Sequence, residues 1–114
     1  MKVIAFNGSA RKDGNTAVLL NTVLEEIRKE GIETELYQLA GKKIQGCIAC
    51  MKCMKNRDRR CAVTKDIVNE CIAKMIEADG ILLGSPTYFA DVSAATRALI
   101  ERAGYVARAN DYMF

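Results

Sequence analysis

Apolar residues fall along this chain in two rhythms that alternate three times. Lys2 to Phe6 is short, apolar after its first residue and contains β-branched Val3 and Ile4, which predicts a strand buried on both faces of a parallel sheet. From Asn15 to Glu30, Leu20, Val23, Leu24 and Ile27 recur at helical spacing opposite Glu25, Glu26 and Lys29, and Gly31 supplies a stop. Glu33 to Leu39 is a more polar strand that suits a sheet edge, and Gly41 with Lys42 and Lys43 opens a long loop. A second helix is predicted from about Asp66 to Ala78, with Ile67, Cys71, Ile72, Met75 and Ile76 on one face and Lys74 and Glu77 on the other. Gly80 to Gly84 is a further buried strand. After Ser85-Pro86-Thr87-Tyr88-Phe89, a third helix is predicted from about Val92, with Val92, Ala95, Leu99 and Ala103 in line and an end near Gly104.

Strand and helix in alternation imply parallel strands joined by right-handed crossovers, so the class is doubly wound α/β. If the sheet order is 2-1-3, the loops leaving the first and third strands flank the switch point where such folds bind ligands. With 114 residues, half of them hydrophobic and 27% charged, the chain has the balance of one globular domain over 1–114. No apolar run approaches the roughly 20 residues that span a bilayer. The start turns polar too soon for a signal peptide, so the expected location is cytoplasmic and no membrane partner is expected.

Both loops at the switch point carry unusual residues. Asn7-Gly8-Ser9-Ala10-Arg11-Lys12-Asp13-Gly14-Asn15-Thr16 joins a buried strand directly to a helix N-terminus. Glycines allow close backbone approach, and free amides, the helix dipole, the Ser9 and Thr16 hydroxyls and the Arg11 charge suit a phosphate. There is no Gly-Lys-Ser/Thr ending for a nucleoside triphosphate and no G-x-G-x-x-G for a dinucleotide, so a single terminal phosphate fits best, against an ordinary turn capped by Asn15. In the second loop, Pro86 is rigid, and Tyr88 and Phe89 can wall a planar heterocycle or simply join the core.

Four of the five cysteines lie in the loop over about 41–65. Cys47, Cys50 and Cys53 form two successive C-x2-C spacings and Cys61 follows, a pattern that allows a [4Fe-4S] cluster, a zinc ion or redox-active thiols. Cys71 sits on an apolar helix face and reads as packing. Histidine is absent, which removes His-based catalysis and metal ligation from this chain. Although the net charge is only +3, Lys52, Lys55, Arg57, Arg59 and Arg60 crowd the cysteine loop. No recognition helix or stacking aromatics accompany them, so nucleic acid is not the expected partner. Compensation of an anionic cluster, or attraction of an acidic electron-carrier protein such as ferredoxin, fits better.

The phosphate loop Gly8-Ser9-Ala10-Arg11 through Gly14-Asn15-Thr16, the cysteine loop Cys47 to Cys61 and Ser85-Pro86-Thr87-Tyr88-Phe89, in that order, resemble the NADPH-dependent FMN reductase family and its iron–sulfur flavoprotein branch. Ala10 stands where many relatives have proline. The resemblance implies a flavodoxin-like fold in which Ser9, Arg11, Asn15 and Thr16 hold the FMN phosphate and Pro86, Thr87, Tyr88 and Phe89 contact the isoalloxazine. It also implies that Cys47, Cys50, Cys53 and Cys61 ligate the cluster, that NAD(P)H is a possible co-substrate, and that the protein is a homodimer or larger homo-oligomer. That fold has five strands, so this chain reads as its N-terminal part, ending after the third β-α unit. Strand three would then be an unpaired apolar edge, and self-association is expected.

The function expected from these readings is that of an FMN-binding oxidoreductase and electron-transfer protein. Two alternatives remain at this level. One is a clusterless NAD(P)H-dependent FMN or quinone reductase; the other is a zinc- or phosphate-binding interaction module without turnover.

Overall fold

A computed structural model describes all residues, 1–114. The central strand, β1 (Lys2–Asn7), has side chains on two faces, and each face is covered by a different part of the chain. Ala5 packs with Leu20 and Leu24 of helix α1 (Asn15–Lys29), joined by half-buried Val3, Leu36 and Leu82. Ile4 and Phe6 point the other way, into a larger cluster with Tyr37, Val68, Ile72, Met75, Leu99, Ala103 and Val106. This is why the strand reads as an unbroken apolar run: successive side chains face opposite sides, and both sides are dry.

Strand β2 (Glu33–Gln38) pairs parallel with β1 from Lys2↔Glu33 to Asn7↔Gln38. After it come a short helix, α2 (Lys52–Asn56), and helix α3 (Val68–Glu77), then strand β3 (Gly80–Gly84). β3 pairs parallel with the other side of β1 from Val3↔Gly80 to Asn7↔Gly84, giving the order β2-β1-β3. The predicted order 2-1-3 is the one observed, with α1 on one face of the sheet and α3 on the other. A small antiparallel hairpin, β4 (Thr87–Phe89) and β5 (Asp91–Val92), leads into helix α4 (Ala94–Ala109), which packs beside α3.

Four boundaries differ from the sequence reading, each for a local reason. α4 does not end near Gly104 but continues to Ala109, because buried Val106, Ala107 and Ala109 extend its apolar stripe beyond the glycine. Its start moves from Val92 to Ala94, since the Ser93 side chain accepts a hydrogen bond from the Thr96 amide and acts as the cap. α3 begins at Val68, after Asp66 accepts from the Val68 amide. The residues read as a plain cysteine loop contain α2, entered through Met51 and left through Arg57, both in the left-handed region.

Candidate functional site

The phosphate-loop candidate sits at the switch point, between the ends of β1 and β3. Asn7 is fully buried; its side-chain amide donates to Gln38 Oε1 at 2.8 Å, and its Oδ1 accepts the Ser9 amide at 3.0 Å. Gln38 in turn donates to the Lys12 carbonyl at 3.1 Å, so two register partners of the sheet clamp both ends of the loop. Gly8 donates to the Gly84 carbonyl at 2.8 Å, and a Cβ on Gly8 would collide with the Thr96 hydroxyl. Ser93 donates to the Gly8 carbonyl at 2.7 Å and shares a 2.8 Å bond with Thr96. The loop is therefore locked to the first turn of α4 by buried hydroxyls.

These contacts bring some of the predicted residues together and leave others apart. The Ser9 hydroxyl accepts the Arg11 amide at 3.0 Å, and the Tyr88 phenol accepts the Ala10 amide at 2.9 Å and lies 3.4 Å from Ser9 Oγ. The Ser9 hydroxyl, and after it the Ala10 amide, hold the Tyr88 phenol below its ordinary pKa. Asn15 and Thr16 open α1, whose first turn has Gly14 at the cap position and no side-chain capping bond. Ser9, Tyr88, Leu39, Lys42 and Ser93 line a cleft of about 280 Å³. Thr87, Tyr88 and Phe89 stand on the exposed hairpin, with Phe89 92% exposed. Gln38, Ser93 and Thr96 join the site without belonging to either loop motif. A Ser-x-x-Thr at a helix start was the available signal for the last two.

The second site is the cysteine loop. Cys47, Cys50, Cys53 and Cys61 all line one apolar pocket with Ile48, Met51, Val63, Tyr105 and Arg102. The thiols are free, and no three of them are gathered closely enough to hold a metal ion as they stand. The backbone coils tightly here, with Ala49, Met51, Arg57 and Arg59 all at positive φ. That winding turns Cys47, Cys50 and Cys53 toward a common pocket. Burial pushes the Cys53 thiol above its ordinary pKa.

Cys61 is held from α3 and α4. Its amide donates to Asn69 Oδ1 at 2.8 Å and its carbonyl accepts from Asn69 Nδ2 at 2.9 Å. Arg102, only 1% exposed, donates from Nε to Cys61 Sγ at 3.4 Å and from Nη2 to the Val63 carbonyl at 2.8 Å. Its Nη1 pairs with Asp66 and reaches the Gln45 carbonyl at 3.2 Å. Burial alone would raise the Asp66 carboxyl, but Arg102 and the Gln45 and Val68 amides outweigh it and hold the group below the usual carboxylate range. Lys52, Lys55, Arg57, Arg59 and Arg60 are exposed in the segment between Met51 and Cys61.

A parallel sheet in order 2-1-3, with a glycine-bearing loop at its switch point, defines a flavodoxin-like α/β protein. The family model for NADPH-dependent FMN reductase matches residues 1–114, and the chain belongs to that family. It is 47% identical over 102 residues to an iron-sulfur flavoprotein of Methanocaldococcus jannaschii, covering 90% of this chain and 51% of that protein. An iron-sulfur flavoprotein of Archaeoglobus fulgidus is 39% identical over 112 residues, covering 98% of this chain and 53% of the relative. One of Methanosarcina thermophila is 32% identical over 110 residues, covering 96% and 56%. The chain thus spans about half the length of the curated relatives it matches. No solved structure gives a significant match. No helix is long and apolar enough to cross a membrane.

Proposed function

We propose that this chain is the FMN-binding part of an iron–sulfur flavoprotein that transfers electrons, with a [4Fe-4S] cluster held by Cys47, Cys50, Cys53 and Cys61. The observation that carries this reading is the convergence of all four loop cysteines on one apolar pocket, in a chain of the FMN reductase family. The names of its relatives point the same way.

The residue types present suit both groups, although the four cysteines must draw closer together to share one cluster. At the phosphate loop the α1 amides lack a capping side chain, and Ser9, Arg11, Asn15 and Thr16 supply hydroxyls, an amide and a guanidinium. Pro86, just before the hairpin, and Thr87, Tyr88 and Phe89 on it would contact the flavin ring. A ligand that takes the Ala10 amide must first displace the Tyr88 hydroxyl. At the cysteine pocket, thiolates suit iron and the surrounding cations offset the anionic charge of a cluster. When bound, FMN supplies hydride and single-electron chemistry and the cluster one-electron relay.

NAD(P)H is the proposed co-substrate, on the family's name alone. The exposed Lys52, Lys55, Arg57, Arg59 and Arg60 form a surface for an acidic electron carrier such as ferredoxin. A homo-oligomer is proposed as the working state. Free thiols suit a reducing compartment, the cytoplasm.

An anaerobic absorption spectrum with iron and sulfide assays tests this reading. Reconstituted protein should hold about four iron and four sulfide per chain, and Cys50→Ser should abolish stable assembly. FMN should bind, and Ser9→Ala with Arg11→Ala should weaken it at least tenfold, about 1.4 kcal/mol. Stoichiometric zinc without iron uptake would point to the interaction module, and flavin without iron to a clusterless NAD(P)H-dependent reductase.

A further inference from the structure

The side chain of Arg102 reaches the cysteine loop from the middle of α4, and the contacts it makes there are more numerous than packing requires. A guanidinium has five N–H donors in a rigid plane. In this chain its nitrogens are directed at Cys61 Sγ, the Val63 and Gln45 carbonyls and the Asp66 carboxylate, all of them in the segment that carries the last loop cysteine. The residue is 1% exposed and its carboxylate partner 5%, on an α4 face otherwise formed by Ala98, Leu99, Ala103 and Val106. Burying an ion pair in apolar surroundings stabilises a fold little, and often less than a hydrophobic pair of the same size. Stability alone therefore gives α4 no reason to carry an arginine here. The bond to the sulfur supplies one.

Resting on the cluster reading above, we propose that Arg102 is a positioning residue for Cys61. Its ion pair with Asp66 clasps residues 61–66 to α4, and its Nε–H bonds the Cys61 sulfur so as to stabilise the reduced form of a cluster ligated there. The two roles are separable by chemistry. The clasp needs a positive charge opposite Asp66, which lysine also carries. The sulfur bond needs the planar fork, because an ammonium held by Asp66 has no second donor aimed in the direction of Nε. Hydrogen bonds to cluster sulfurs raise the reduction potential, since they favour the more negative reduced state.

Three variants and two measurements test this. In the apo chain, hydrogen exchange reads the order of residues 61–66. In the reconstituted chain, a redox titration followed by electron paramagnetic resonance reads the cluster potential. Arg102→Lys should leave exchange within about threefold of wild type and move the potential to more negative values. Asp66→Asn should speed exchange at the Cys61 amide about tenfold or more and move the potential, if at all, to more positive values, because it deletes a negative charge beside the same guanidinium. The pair Asp66→Asn with Arg102→Gln removes both buried charges together, so neither is left unpaired, and should speed exchange and move the potential to more negative values. An Arg102→Lys potential equal to wild type overturns the sulfur role. A potential that moves as far to negative values in Asp66→Asn as in Arg102→Lys reduces the effect to general loosening and also overturns it. Unchanged exchange in both Asp66 variants overturns the clasp. Wild-type protein that takes up no cluster would instead sink the function proposed above, and the exchange experiment would still decide the clasp.

Discussion

Ser93 shows how much one hydroxyl can fasten. It caps α4, donates to the Gly8 carbonyl at 2.7 Å and is 4% exposed, so its removal loses a helix cap and leaves a buried carbonyl short of a donor. Ser93→Ala should lower stability by about 1–3 kcal/mol in a denaturant titration and weaken ligand binding at the loop, whereas Ser93→Thr should recover most of the loss. Cys71 makes the opposite point. It is fully buried, and burial, then the neighbouring Glu70 charge, push its thiol up to about 12. In the apo chain iodoacetamide should label exposed Cys47 and Cys50 within minutes and reach Cys71 only on unfolding. Mass spectrometry of the labelled peptides reads this directly, and early labelling of Cys71 would show that the α3 face opens.

Among the elements, α4 and β2 carry the clearest expectations. Gly104 lies inside α4, is exposed, and has no atom within 4 Å of where a Cβ would stand, so nothing in its surroundings requires a glycine. Gly104→Ala should raise stability by about 0.5–1 kcal/mol, read as a higher denaturation midpoint. At the other edge of the sheet, Glu35 of β2 bridges Lys74 of α3 at 2.6 Å and Lys2 of β1 at 3.1 Å. The Lys74 bond, only partly offset by burial and aided by Lys2, holds its carboxyl below the ordinary value. A depressed carboxyl contributes stability that is complete above the unfolded pKa of about 4.3 and is lost as pH falls through the lower folded value. Glu35→Gln should therefore cost about 0.5 kcal/mol at pH 7, a cost that shrinks as the pH is lowered into the acid range, which paired urea titrations can measure.

The same elements show what the sequence could and could not reveal. β1, β3 and α1 were legible because their apolar periods are imposed by burial on two faces or on one. The stop read at Gly104 failed because a glycine signal is local, and the buried Val106 and Ala107 beyond it outweigh the propensity cost. α2 was invisible because its five residues carry no amphipathic period. At the sites, the cysteine spacing and the glycine loop could be read directly. The clamps from Gln38, Asn69, Ser93 and Arg102 could not, since Asn69 reaches eight residues back, the other three reach much farther, and none leaves a spacing rule behind.

For the molecule as a whole, the outer edge of β3 has no strand beside it, and Leu83 is 47% exposed. Met75, Ile81, Leu99 and Ala103 continue an apolar groove from that edge across to α4. An open parallel edge next to wet apolar surface favours association, so the 114-residue chain should self-associate at micromolar concentration, as light scattering over a dilution series would show. A cooperatively folded monomer at low micromolar concentration would refute this.

The division of β1 between two covers also has a consequence for synthesis. α1 and β2 follow β1 immediately, so the face bearing Ala5 can be covered while the chain is still short. The face bearing Ile4 and Phe6 waits for Val68, Ile72, Leu99 and Val106. Because translation runs at about 5–20 residues per second, that face stays wet for several seconds behind the ribosome, with Tyr37 beside it. A nascent chain arrested before Val68 should therefore bind a hydrophobic dye or a chaperone, and one arrested well after Ala109, with α4 clear of the exit tunnel, should release it.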